Sequence, residues 1–128
     1  MTDFDTILGL DDDLDLTEEG FQPVTDTFTI SDVDVAKNER GTMLSYTLSN
    51  PDVELFGKPC EQSFREWLSF PENEIVARIG RSNIKRLANA ALGTAAFKPI
   101  DLDGAMVVAT LSEDKRGFIQ AKGFKTVK

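Results

Sequence analysis

The apolar positions of this chain change period along its length, and each change marks an element. Over 25–35, Phe28 and Ile30 share one parity while Val33 and Val35 take the other. A period of two with one phase slip predicts a strand carrying a bulge between Ile30 and Val33. The run Lys37-Asn38-Glu39-Arg40-Gly41 reads as a turn. Over 43–49 the alternation is strict, with Leu44, Tyr46 and Leu48 on one face and Met43, Ser45, Thr47 and Ser49 on the other. These two strands are expected to pair as a hairpin. Asn50-Pro51-Asp52 is expected to break the second strand, and Phe56-Gly57-Lys58-Pro59 to make the next turn. A third strand is predicted over 60–70, in which Cys60, Gln62, Phe64, Glu66 and Leu68 alternate with Glu61, Ser63, Arg65, Trp67 and Ser69.

After Pro71 the period lengthens to that of a helix, through Ile75, Val76, Ile79, Ile84, Leu87, Ala88, Ala91 and Leu92. Gly80 or Ser82 is expected to divide this region, and Gly93 sits where a helix stop belongs. Residues 94–99 read as a connection, 105–111 as a fourth strand, 112–117 as a charged turn and 118–127 as a fifth strand. The predicted class is mainly β with one helical segment. Three strands, a helix and two strands is the order of the five-stranded oligonucleotide/oligosaccharide-binding (OB) barrel, whose helix lies between strands 3 and 4. The expected organisation is an acidic flexible arm over 1–22 and a barrel domain over 23–128.

Charge sharpens that division. All eight acids of the first 22 residues lie in a stretch without Lys or Arg. Taking them from the chain's 22 acids leaves 14 against its 14 cations, so the net charge of −8 belongs to the arm and the body is formally neutral. The arm interleaves its acids with Phe4, Ile7, Leu8, Leu10, Leu14 and Leu16. Two readings stand: a solvated terminus, or a segment that docks a partner or masks a groove through Phe4, Asp11, Asp12, Asp13 and Asp15.

Composition narrows the chemistry. With no His, histidine-based acid–base and metal chemistry is absent. A lone Cys60 forms no intramolecular disulfide and points to a reducing compartment, the cytoplasm. No apolar run approaches the ~20 residues that span a bilayer, and the acidic start is opposite to that of a signal peptide. The pairs Asp101/Asp103 and Glu72/Glu74 sit beside a loop or a helix start, where acids are ordinary. The run Asp11-Asp12-Asp13 lacks the glycine and terminal glutamate of a calcium loop. No phosphate-cradling loop is present and no base stands by for Cys60. A non-catalytic protein without metal or cofactor is expected.

Sequence-tolerant binding of single strands needs a cationic groove and aromatic faces for the bases. Trp67 is the leading stacking candidate, because it shares a strand face with Arg65, Ser63 and Glu61; packing under a loop or the arm is the alternative. Tyr46 belongs with the core by parity, its hydroxyl reaching the rim. Phe118, at the mouth of the last hairpin, and Phe56, in its turn, divide evenly between contact and core. Lys37 and Arg40 flank the first turn, and Lys115 and Arg116 tip the last, the two loops that border the binding face of such a barrel. Charged tips that only confer solubility are the plain alternative. Lys122 and Lys125 fall on opposite strand faces. Arg78, Arg81 and Lys85 share a helix face, to be read as solvated or as a site for DNA backbone or the arm.

From Thr25 onward the chain resembles the small single-stranded-DNA-binding proteins of phage replication and recombination modules. The residues that carry this are Phe28-Thr29-Ile30-Ser31-Asp32-Val33, Leu44-Ser45-Tyr46-Thr47-Leu48-Ser49-Asn50, the helix from Ile79-Gly80-Arg81 to Gly93, and Asp101-Leu102-Asp103-Gly104-Ala105-Met106-Val107-Val108. The resemblance covers about four-fifths of the chain, and it is one of pattern and order, without a catalytic motif. It implies an OB barrel that coats single-stranded DNA, with replication or recombination proteins as further partners, self-association along the strand, and no membrane. The better-known members carry their acidic tail at the C-terminus; here it is N-terminal, and the chain ends with Lys122, Lys125 and Lys128. Two other functions fit the same pattern. One is a protein-interaction module or inhibitor whose arm imitates nucleic acid, the other a structural assembly component.

Overall fold

A computed structural model of the chain describes residues 22–127. Phe4, Asp11, Asp12, Asp13 and Asp15, the residues expected to dock a partner, lie outside the described residues. Among the described residues, five antiparallel strands curl into a half-barrel. They are β1 (Val24–Asn38), β2 (Gly41–Leu55), β3 (Lys58–Ser69), β4 (Met106–Glu113) and β5 (Ile119–Lys125). The main helix α1 (Glu74–Leu92) follows β3, and a single turn, α2 (Pro99–Leu102), precedes β4. The sheet order is β3-β2-β1-β4-β5, so β1 pairs on both sides and β3 and β5 are left as edges.

The alternation read from the sequence builds the inner face. Phe28, Ile30, Leu44, Leu48, Val107, Ala109 and Leu111 are fully or almost fully buried, beneath Ile84, Leu87 and Ala88 of α1 and Leu102 of α2. The phase slip in β1 is a bulge. Ser31 faces Thr47 and Asp34 faces Ser45, so β1 spends one residue more than β2. Asp32 takes it up with φ 51°, a left-handed conformation that aspartate tolerates better than most side chains.

The expected break at Pro51 does not end β2, which runs on to Leu55 and buries Val53 and Leu55. The ladder to β3 is instead interrupted between Asn50 and Glu54. A proline lacks only a donor, and an irregular stretch asks for none. Asn50 ties that stretch down: Nδ2 donates to the Thr27 carbonyl at 2.8 Å and Oδ1 accepts from the Asp52 amide at 2.8 Å. The β2–β3 turn is the two-residue Phe56-Gly57 with φ 54° and 79°, the sign pair of the tight hairpin turn.

α1 is one helix. Asn73 caps it, accepting from the Ile75 and Val76 amides, and Gly93 ends it in the left-handed region at φ 75°. Gly80 does not divide it: Ala77 and Gly80 let the helix lie close on β3, and a Cβ on Gly80 would come within 2.0 Å of the Trp67 carbonyl oxygen. That close approach sets the helix's rotation. The buried stripe is Ala77, Gly80, Ile84, Leu87 and Ala88, while Ile75 and Ile79, which belong to the helical pattern, are 65% and 56% exposed. Among the described residues no helix is long and apolar enough to cross a membrane.

Candidate nucleic-acid interface

No ladder joins β3 to β5, and the gap between these edges is a cleft of about 710 Å³. Ser63, Phe64, Arg65 and Glu66 line it from β3, Asn83 from α1, and Tyr46 from the floor. Phe118, Gln120, Ala121 and Phe124 line the opposite wall, with Asp114 and Arg116 in the β4–β5 turn.

That turn is built on one carboxylate. Asp114 Oδ1 accepts from the Arg116 amide at 2.8 Å and the Phe118 amide at 3.0 Å, and Oδ2 lies 3.7 Å from the Arg116 guanidinium. These bonds, the Phe118 amide first, hold the Asp114 carboxyl below its usual pKa. The Arg116 guanidinium lies over the Phe118 ring, 5.3 Å from its centroid. Phe118 is 63% exposed, so a large aromatic projects at the cleft mouth with a cation on it.

Deeper in, the character changes. Tyr46 is 4% exposed and packs on Phe64, ring centroids 5.5 Å apart at 31°. Its hydroxyl titrates well above the usual phenol value, because burial and then the nearby Glu66 disfavour the phenolate. Glu66 is half-buried and its pKa is raised by burial, against the opposing effect of Asn83, whose Nδ2 donates to Oε2 at 2.7 Å. Guanidiniums thus flank the mouth, and a carboxylate with an amide sits within.

Trp67 stands elsewhere. It is on the outer face of β3 and opposite Met43, and its ring stacks on Phe70 with centroids 4.5 Å apart at 27°. Arg40, in the β1–β2 turn, completes this cluster: its guanidinium lies 5.7 Å from the Phe70 centroid and 3.9 Å from Glu72. The two clusters share β3. Arg65, opposite Ser45, is two residues from Trp67 on the same face, about 7 Å along a strand. Between them and the bulge lies a shallow hollow of about 220 Å³ lined by Asp32, Ser45, Thr47, Ser63 and Arg65, where Thr47 and Ser63 share a 2.9 Å hydrogen bond.

Of the residues singled out from the sequence, Arg65, Arg116, Phe118 and Tyr46 therefore meet at the cleft, while Trp67 and Arg40 meet at Phe70. Tyr46 serves as floor, its ring too buried to offer a stacking face. Lys37 and Lys115 are exposed at their turns and join neither cluster. On α1, Arg81 is engaged, donating to the Leu68 carbonyl at 2.9 Å and pairing with Glu74 at 2.5 Å, whereas Arg78 and Lys85 are exposed. Asp101 accepts from the Lys98 amide at 3.0 Å at the start of α2.

Sequence reasoning missed Asp114, Glu66, Asn83 and Phe70. Asp114 had a signal, since an aspartate three residues before a glycine is a turn-former. The other three become a site only when α1 and the strand ends are folded onto β3. Among the described residues no group of three or more acids or cysteines is placed to hold a metal ion. No family model matches this chain, and neither a curated protein nor a solved structure matches it.

Proposed function

We propose that the half-barrel is an OB-type barrel and that the protein binds single-stranded DNA without acting on it chemically, in phage DNA replication and recombination. The observation that carries the reading is the union, along β3, of Arg65 and the Arg116–Phe118 pair at the cleft with the Trp67–Phe70–Arg40 cluster beyond. Arg65 and Trp67 on β3, with Arg116 and the exposed Phe118 on one side and Arg40 and Phe70 on the other, supply what a sequence-tolerant binder needs: π-faces for bases and cations for phosphates.

Because the body is neutral, affinity comes from stacking and a few local cations rather than from a broad positive field. If Arg40, Arg65, Lys115 and Arg116 each neutralise one phosphate, the logarithm of the affinity falls with that of salt with a slope of about −3. The acidic arm competes for the same cations, so its removal tightens binding.

The test is fluorescence anisotropy of a labelled single strand of about 30 nucleotides, long enough for at least one site. It is read across a salt series with the full chain and with a chain lacking residues 1–22. Salt-sensitive binding that strengthens without the arm and weakens tenfold or more in the double variant Arg65→Ala, Arg116→Ala supports the reading. No binding by either form at low salt overturns it and turns attention to a protein partner.

A further inference from the structure

The part of the cleft that a phosphate groove does not explain is its interior. A carboxylate repels a phosphate backbone, yet Glu66 lines the cleft together with Arg65 and Arg116. Its Oε2 accepts from Asn83 Nδ2, while Oε1 has no hydrogen-bond partner among the described residues. Among the described residues Oε1 is thus left available to a further donor. The second hydrogen of Asn83 Nδ2 and its Oδ1 are uncommitted in the same way. Beside this polar pair Phe64, Ile119, Ala121 and Phe124 give the walls apolar and aromatic surface, with Tyr46 beneath, while Ser63, Gln120 and Asp114 complete the lining. Aromatic and apolar wall surface next to the hydrogen-bonded Glu66–Asn83 pair suits a ligand that is itself flat and carries hydrogen-bonding groups along one side.

We propose that this interior is a base-reading subsite, in which Glu66 and Asn83 engage the hydrogen-bonding edge of one nucleobase and favour cytosine and adenine over thymine. The proposal rests on the strand-binding reading above and adds a preference to it. Cytosine and adenine each present an exocyclic amine beside an unprotonated ring nitrogen. The amine donates to Glu66 Oε1, and the free N–H of Asn83 donates to the ring nitrogen. Thymine presents a carbonyl where the amine would be, and that oxygen faces the carboxylate. Arg65 and Arg116, at the mouth, hold the phosphates on either side of the inserted base. Burial raises the Glu66 pKa, in keeping with a carboxylate that Asn83 alone does not satisfy.

The experiment compares oligodeoxycytidine with oligothymidine, each of about 30 nucleotides, on the full chain and on Glu66→Gln and Arg116→Ala, with folding checked by thermal melting. A good bidentate base contact discriminates at least about fivefold. The native protein is expected to bind the cytidine strand at least that much more tightly. Glu66→Gln, whose amide can donate to a thymine carbonyl, should abolish or reverse the preference. Arg116→Ala should weaken both strands and leave their ratio unchanged. Equal native affinity for the two strands overturns the subsite while strand binding stands. A preference that survives Glu66→Gln overturns the assignment to this residue. Binding to neither strand defeats the strand-binding reading, and the subsite with it.

Discussion

Gly80 of α1 rests on the backbone of Trp67: a Cβ added to it would lie 2.0 Å from the Trp67 carbonyl oxygen and 2.9 Å from its carbonyl carbon. Backbone cannot step aside as a flexible side chain does, so alanine here must lift the helix off β3. Overpacking of this kind costs about 1–3 kcal/mol, and the better helix propensity of alanine returns about 1. Gly80→Ala is expected to destabilise the protein by about 1 kcal/mol net, which lowers the melting temperature by about 5 °C in a domain this size. Calorimetry reads it directly, and an unchanged melting temperature would show that α1 does not depend on this contact.

Phe56 sits at φ 54° in the β2–β3 turn and is 70% exposed. A left-handed conformation costs a bulky L-residue about 1–2 kcal/mol, whereas asparagine adopts it readily and is favoured before glycine in this turn. Phe56→Asn should raise the denaturant midpoint by the equivalent of about 1 kcal/mol without changing the slope of the transition. A lower midpoint would mean that the ring's own contacts outweigh the backbone strain.

Asp114 organises the turn that presents Arg116 and Phe118. Its carboxyl is depressed in the folded state, so its ionised form favours the fold above the unfolded pKa, and that contribution is lost as pH falls through the lower, folded value. In an NMR titration the Arg116 and Phe118 amides should move together, with a midpoint below the usual aspartate value of about 3.9. Asp114→Ala should erase that titration and release both side chains. Persistence of the amide shifts in the variant would show that another group holds the turn.

Glu66 has the opposite sign. Its folded pKa is raised, so between the usual carboxylate value and the folded one the native state binds more protons than the unfolded chain. Stability contributed at this position therefore falls as pH rises through that window. The melting temperature of the native protein should decline relative to that of Glu66→Gln as pH is taken upward from about 4.3, the ordinary glutamate value. Parallel curves would place Glu66 in solvent rather than in the cleft wall.

Much of the architecture was legible as pattern. Leu44, Tyr46 and Leu48 alternate because β2 has one face in the core, and they are buried as their parity predicts. The slip between Ile30 and Val33 is the bulge at Asp32. Gly93 stops α1 because the residue after a helix adopts the left-handed conformation that glycine takes most easily. Local rules misled at Pro51, where the strand continues through an irregular stretch, and at Gly80, where absence of a side chain serves packing rather than a break. Ile75 and Ile79 lie on the helix as their spacing indicates, yet they are exposed. Helical spacing shows that a stripe exists, but the stripe that faces the sheet is the one with Ala77 and Gly80 in it.

The sequence by itself determined the order of elements, the parity of each strand and the separation of a net-charged arm from a neutral body, because these follow from neighbours along the chain. It also named Arg65, Arg116, Phe118, Trp67 and Arg40 one by one. Their sorting into two clusters was decided only by the tertiary structure. β3 and β5 are sheet edges that face each other across a cleft, and Asn83 reaches Glu66 because α1 packs on β3. Such distances depend on how a curled sheet brings remote segments together, and no periodicity within one segment encodes them.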